Sequence, residues 1–95
     1  MAIISDIQLS KNGYFKDQAG QALTASFVRF EIGFASFSIT LFNDAVGKYI
    51  EYSFDGTTVH GRVKAGEVRT MDFCRHADVW LRGESGSEAY RLEAY

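Results

Sequence analysis

The amino-acid sequence predicts an all-β domain in which about eight short antiparallel strands pack as a β-sandwich (Greek-key or jelly-roll-like), with a small β-barrel as the alternative. Apolar and polar residues alternate with a period of two along most of the chain, which is typical of strands that bury one face. Asn, Asp and Gly residues recur at short intervals between these segments and indicate turns. The chain has 95 residues, 46% of them hydrophobic and 15% aromatic, so we expect a single domain, 1–95, with one core.

The alternation places the strands in chain order. In the second segment Val28, Phe30 and Ile32 share one face, and Gly33 then predicts a bend or bulge. Apolar and hydroxyl side chains alternate through 37–41, and apolar and polar side chains alternate again through 50–54. The predicted strands are 3–9, 24–32, 35–42, 49–54, 58–63, 67–74, 78–82 and 88–94.

The later strands follow from one tight turn and from apolar residues that share a face. Asp55-Gly56 tolerates the positive φ of a tight hairpin and therefore predicts the pairing of 49–54 with 58–63. The same-face apolar sets of the last three strands are Met71 with Phe73, Val79 with Leu81, and Tyr90 with Leu92 and Ala94.

Composition and charge exclude several classes of partner. The formal net charge is −2 and the isoelectric point is about 5.6, which argues against nucleic acid because such binders carry a basic patch. No stretch approaches the roughly 18 apolar residues of a membrane span, and the start of the chain lacks the pattern of a signal peptide. The single cysteine, Cys74, cannot form an internal disulfide, which indicates synthesis in a reducing cytoplasm.

The best candidate for chemistry is the segment around Cys74. On a strand Asp72, Cys74 and His76 would share a face, and a distant His60 could complete a zinc site. A single cysteine on a strand is more often a small buried hydrophobe, and the sequence marks no base, orienting group or oxyanion hole. A cupin-type metal site also fails, because Arg62 stands where the His-x-His pair needs its second histidine. We therefore expect no catalytic residues, no metal, no cofactor and no enzyme activity.

Two segments are candidates for an interface. In 78–82 the alternation turns Asp78, Trp80 and Arg82 away from the core, and an outward Trp beside Arg suits either a protein hot spot or a sugar-stacking platform. The alternative, which the sequence allows equally, is that Trp80 is turned inward or covered by a loop. In the apolar segment 34–42, which runs from Phe34 to Phe42 without proline, an unprotected edge strand would invite pairing with another chain. The polar-aromatic set Tyr49, Glu51 and Ser53 is interpreted as ordinary surface.

The C-terminal half resembles small virion structural proteins, of decoration or adaptor type, from tailed bacteriophages. The similarity lies in a strand ending in Ser-x-Asp-Gly followed by a hairpin and a Gly-Glu turn (49–67), a short strand with an Arg-Gly end (79–83) and the closing 90–95. It implies a β-sandwich that decorates or joins parts of a capsid or tail, with no catalytic residue or cofactor.

The resulting hypothesis is a non-enzymatic virion component, made in the host cytoplasm, that docks onto capsid or tail proteins as a homo-oligomer or in repeated copies. The alternative is a carbohydrate- or receptor-binding β-sandwich, in which Trp80 with Asp78 and Arg82 would hold the ligand.

Overall fold

The computed structural model describes residues 13–72 and 75–95 of the chain. Eight strands follow one another in this part of the chain. They are β1 (Tyr14–Asp17), β2 (Val28–Glu31), β3 (Ser38–Asn43), β4 (Ile50–Ser53), β5 (Gly61–Val63), β6 (Val68–Asp72), β7 (Asp78–Gly83) and β8 (Tyr90–Ala94). The predicted strand 3–9 lies outside the described residues.

The strands form two four-stranded antiparallel sheets. The first sheet has the order β1-β8-β3-β6 and the second sheet has the order β2-β7-β4-β5. Only the β4–β5 hairpin joins neighbours within one sheet, and every other connection crosses between the sheets. The prediction of a β-sandwich is confirmed, because the strands form two separate sheets instead of one closed barrel.

Alternation along each strand builds the core between the sheets. In β3 and β7 every second side chain is buried, including Ile39, Leu41, Val79 and Leu81, all at most 1% exposed. Ile50 and Tyr52 enter from β4, and Tyr90, Leu92 and Ala94 enter from β8. The rings of Phe30 and Tyr90 meet edge to face with centroids 5.7 Å apart, the favoured geometry for an aromatic pair.

A buried asparagine stabilises one end of the sandwich. Asn43 is 1% exposed at the end of β3, and its Nδ2 donates to the carbonyl oxygens of Lys48 and Val63, each at 2.8 Å. Its Oδ1 accepts from the Ala45 amide at 2.9 Å. Because a buried backbone carbonyl needs a partner, this side chain ties the β3–β4 connection to the edge strand β5.

The segment 34–42 does not form the unprotected edge that would invite pairing with another chain. The strand β3 begins at Ser38 and is paired on both sides, with β6 and with β8, so its backbone groups are used within the sheet. Phe34 precedes the strand and packs, half-buried, against the core. Gly33, with φ of +88°, provides the predicted bend before this segment.

Two more strands begin later than predicted, and one strand was not predicted at all. The strand β1 occupies 14–17, a short segment between two turn signals that the sequence did not identify as a strand. The strands expected at 24–32 and 58–63 are confined to 28–31 and 61–63. In the second case side-chain hydrogen bonds of Asp55 organise residues 53–58 as a loop instead of a ladder.

A candidate docking face on the second sheet

The outer face of the second sheet carries a row of charged side chains set by strand register. Glu51 lies in the interior strand β4, and its neighbours Ile50 and Tyr52 point into the core, so its own side chain points outward. Across the ladder Glu51 stands opposite Arg62 of β5 on one side and Arg82 of β7 on the other. The register therefore places two positively charged side chains, Arg62 and Arg82, beside the single carboxylate of Glu51.

The Glu51 carboxylate holds both guanidinium groups in fixed positions. Its Oε2 accepts from Arg62 Nη2 at 2.8 Å and Nε at 3.2 Å, and its Oε1 accepts from Arg82 Nε at 2.8 Å. The Glu51 side chain is only 8% exposed, whereas those of Arg82 and Arg62 are 34% and 52% exposed. Burial raises the pKa of Glu51, but the hydrogen bonds from Arg62 and Arg82 outweigh burial and hold that pKa below its ordinary value.

Each of the two arginines also lies over an aromatic ring. The guanidinium carbon of Arg62 is 3.9 Å from the centroid of Tyr49, and that of Arg82 is 4.4 Å from the centroid of Phe27. Such stacking limits the rotamers of a long side chain and leaves its remaining N–H groups available to a partner. We call the set Phe27, Tyr49, Glu51, Arg62, Trp80 and Arg82 the arginine–aromatic face.

Trp80 extends this face and is half-buried. It stands between Arg29 and Ser53 in the ladder, on the side of β7 opposite to Val79 and Leu81. A Cβ at Gly56 would lie 3.0 Å from Trp80 Cε2, so the loop after β4 packs directly against the indole. The guanidinium of Arg29 lies 5.8 Å from the ring centroid and pairs with Asp78 at 3.1 Å. Much of the indole is thus already in contact with its own chain.

The loop that contacts Trp80 is built around Asp55. Its Oδ1 accepts from the amides of Thr57 and Thr58 at 2.9 and 2.8 Å and from Ser53 Oγ at 2.9 Å. The backbone hydrogen bonds from Thr58 and Thr57 hold the pKa of Asp55 far below its ordinary value. Gly56 follows with φ of +86°, a conformation that favours glycine. The loop is therefore fixed by its own sequence.

Three of the five predicted interface residues lie together. Asp78, Trp80 and Arg82 are alternate residues of β7 on the outer face of the second sheet. Phe42 lies instead on the outer face of the first sheet, half-buried under the guanidinium of Arg91, whose carbon is 4.2 Å from its ring centroid. Phe34 packs on the core and belongs to neither face.

Sequence reasoning overlooked the centre of the face. It assigned Tyr49 and Glu51 to ordinary surface and did not connect them with Arg62. Alternation placed Glu51 outward. Its burial, however, depends on which arginines stand opposite, and that depends on a loop longer than the one expected between 49–54 and 58–63.

The residues considered for chemistry are engaged in structural contacts where the structure describes them. Asp72 accepts a hydrogen bond from Ser38 Oγ at 2.9 Å, His60 Nδ1 accepts from the Phe54 amide at 3.0 Å, and His76 stacks on Phe54 with centroids 4.0 Å apart. Cys74 lies outside the described residues. Within 13–72 and 75–95, no group of three or more His, Cys, Asp or Glu side chains is arranged to hold a metal ion.

One open cleft of about 380 Å³ contains two carboxyl groups, Asp44 and Glu88. Asp44 forms two hydrogen bonds with Arg91, at 2.8 and 3.1 Å. Glu88 Oε2 accepts from the Ser85 amide and hydroxyl at 2.9 and 3.0 Å. Burial raises the pKa of Glu88, but the hydrogen bonds from Ser85 outweigh it and leave the pKa below its ordinary value. A general acid would need the opposite shift.

Comparisons with known proteins concern the fold. No family model and no curated protein matches the chain. Similar solved structures include PliG of Aeromonas hydrophila, a periplasmic inhibitor of g-type lysozyme, with a TM-score of 0.50 and 8% identity over 87% of this chain and 83% of that one. Another is a disulfide-linked pilus of Bacillus endospore appendages, with a TM-score of 0.50 and 10% identity over 87% and 81%.

Protein NMB1881 of Neisseria meningitidis matches at a TM-score of 0.47 and 15% identity over 88% of this chain and 76% of that one. At such identities the likeness to PliG and to the pilus is one of architecture. In the described ranges no helix is long and apolar enough to cross a membrane.

Proposed function

We propose that the chain is a non-enzymatic structural protein that docks onto a larger protein assembly through the arginine–aromatic face. The carrying observation is that Trp80, Tyr49 and Phe27 share one face of the second sheet with Arg62 and Arg82. Tryptophan, tyrosine and arginine are the residue types that most often dominate the binding energy of protein interfaces.

Preorganisation strengthens this proposal. Ordering a long side chain at an interface costs about 0.5–1.5 kcal/mol. Glu51 and the two stacked rings already restrict Arg62 and Arg82 before any partner arrives, which lowers that cost. The outward guanidinium edges suit carboxylate or carbonyl groups on a partner.

The setting that we propose is a tailed-phage virion, in which the chain decorates the capsid or forms a head or tail component after synthesis in the host cytoplasm. The resemblance of 49–67, 79–83 and 90–95 to such proteins supports it. A pilus with the same architecture gives a precedent for this fold in repeated assemblies. We expect protein partners and no nucleic acid or membrane.

The carbohydrate-binding alternative requires an aromatic ring that is open for stacking. The indole of Trp80 instead contacts Gly56 and lies near Arg29, and the ring of Tyr49 lies under Arg62. These contacts favour protein docking over sugar stacking.

The test is incorporation into particles. Particles from cells that produce the chain are separated on a density gradient, and the chain is quantified in the particle band. We expect Trp80→Ala and Arg82→Ala to reduce incorporation while the purified variants stay folded by circular dichroism. The matched control is Thr70→Ala on the outer face of the first sheet, which should incorporate normally. Absence of the wild-type chain from every particle band, or equal incorporation of all variants, would contradict the proposal.

A further inference from the structure

One edge of the second sheet is formed by β2. The register with β7 determines which of its backbone N–H and C=O groups point toward β7 and which point away from the sheet. The Ile32 amide donates to the Ala77 carbonyl at 2.9 Å, which continues the β2–β7 register. Hydrogen-bonded and non-bonded pairs alternate in an antiparallel ladder, so the backbone groups of Val28 and Phe30 point to β7. Those of Arg29 and Glu31 therefore point away from the sheet. In the described part of the chain, no strand pairs with this side of β2.

We propose that β2 pairs with β2 of a second copy of this chain, antiparallel and centred on Phe30, to form a two-fold dimer with a continuous eight-stranded sheet. In this register Arg29 of one copy stands opposite Glu31 of the other, and the reverse pair is generated by symmetry. These are the residues whose N–H and C=O groups point outward, so the register forms four intermolecular backbone hydrogen bonds.

Charge complementarity favours a second copy of this chain as the partner of β2 and favours the register centred on Phe30. Arg29 and Glu31 share the outer face of the sheet, with side chains 53% and 71% exposed. Opposite charges directly across an antiparallel ladder attract, whereas like charges repel. Centring the two-fold axis on Arg29 instead would place that residue opposite its own copy, so the Phe30 register is the favourable one.

The other edges of the sandwich are less suited to self-pairing. The edge strand β5 has only three residues. A two-fold pairing of β6 centred on Thr70 places Val68 opposite Asp72, and a pairing of β1 centred on Lys16 places that lysine opposite itself. None of these gives two ion pairs, so β2 is the edge whose sequence is complementary to itself.

Charge reversal tests the register directly. Arg29→Glu and Glu31→Arg each convert both intermolecular pairs to like charges, so we expect each single variant to raise the dimer dissociation constant at least about tenfold. Mixing the two variants pairs Glu with Arg at both positions, so a heterodimer should form at near wild-type affinity. The double variant Arg29→Glu/Glu31→Arg should also self-associate. The control is Lys64→Glu, an exposed charge reversal away from β2.

Sedimentation over a wide dilution range measures these constants, and melting temperatures verify folding. Hydrogen exchange supplies a second readout: the amides of Arg29 and Glu31 should gain protection at concentrations where the dimer forms. A wild-type chain that stays monomeric at millimolar concentration would overturn the inference, as would a mixture of the two variants without heterodimer. The inference is independent of the arginine–aromatic face, since a monomer that still docks onto particles would refute only the dimer.

Discussion

Replacing Glu51 with glutamine tests whether this carboxylate organises the outer face of the second sheet. The substitution keeps the size and the buried position of the side chain but removes its charge. One amide oxygen can still accept from one arginine, whereas the amide NH₂ would face the other guanidinium. Both Arg62 and Arg82 would lose a charged partner.

The magnitude follows from the exposure of the partners. A hydrogen bond to a charged group contributes about 1.5–3 kcal/mol when it is shielded from water, and an exposed pair contributes about 0–1 kcal/mol. Arg82 is 34% exposed and Arg62 is 52% exposed, so water screens both ion pairs and each contributes less than a fully shielded pair would. We expect Glu51→Gln to lower the free energy of unfolding by about 1–2 kcal/mol, with a fall in melting temperature of about 4–8 °C per kcal/mol.

The effect should depend on pH in a defined direction. The pKa of Glu51 is lower in the folded chain than its ordinary value of 4.5. The contribution of the Glu51 carboxylate to the free energy of unfolding is therefore fully present above about pH 4.5. It is lost as the pH falls through the folded-state pKa. Urea unfolding at a series of pH values should show the wild type and Glu51→Gln converging in acid and separating towards neutral pH.

The matched control is Glu31→Gln, in which the carboxylate removed is 71% exposed. Measured on the monomer, it should change stability by less than about 0.5 kcal/mol. If Glu51→Gln unfolded with the wild-type midpoint at neutral pH, or if the difference grew in acid, the assigned role of Glu51 would be wrong.

Further substitutions test the packing around this face and the core. Gly61→Ala would place a Cβ in steric conflict with the hydroxyl and ring of Tyr52, so we expect a loss of about 1–3 kcal/mol in urea unfolding. Gly20→Ala, with its nearest contact at 3.2 Å, should be much milder. Asn43→Ala leaves the buried carbonyl of Val63 without its side-chain donor and should cost about 2–4 kcal/mol by the same assay. Asp55→Ala should loosen residues 53–58, seen as faster amide exchange of Thr57 and Thr58.

Alternation in the sequence predicted most of the architecture because each sheet buries one face. Phe30, Leu41, Leu81 and Leu92 all lie in the core, whereas Phe37, which shares the face of Leu41 in the alternation, is 52% exposed. The strand β1 escaped prediction because four residues between two turns carry too little periodicity.

Strand order and register were the parts of the fold that local patterns do not encode. The apolar segment around Ile39 and Leu41 reads equally well as an edge or as a central strand, and only pairing with β6 and β8 decides between them. The same applies to the site. Trp80 and Arg82 are adjacent in the alternation, whereas the contact of Glu51 with Arg62 depends on pairing across the β4–β5 hairpin.

The central claim is that the arginine–aromatic face is the surface buried against a partner assembly. Hydroxyl-radical footprinting of the chain, free and in purified particles, measures this for individual aromatic side chains. We expect Trp80, Tyr49 and Phe27 to be oxidised more slowly in particles, while Phe15, 56% exposed on the outer face of the first sheet, keeps its rate. Protection of Phe15 with unchanged rates for Trp80 and Tyr49 would contradict the account.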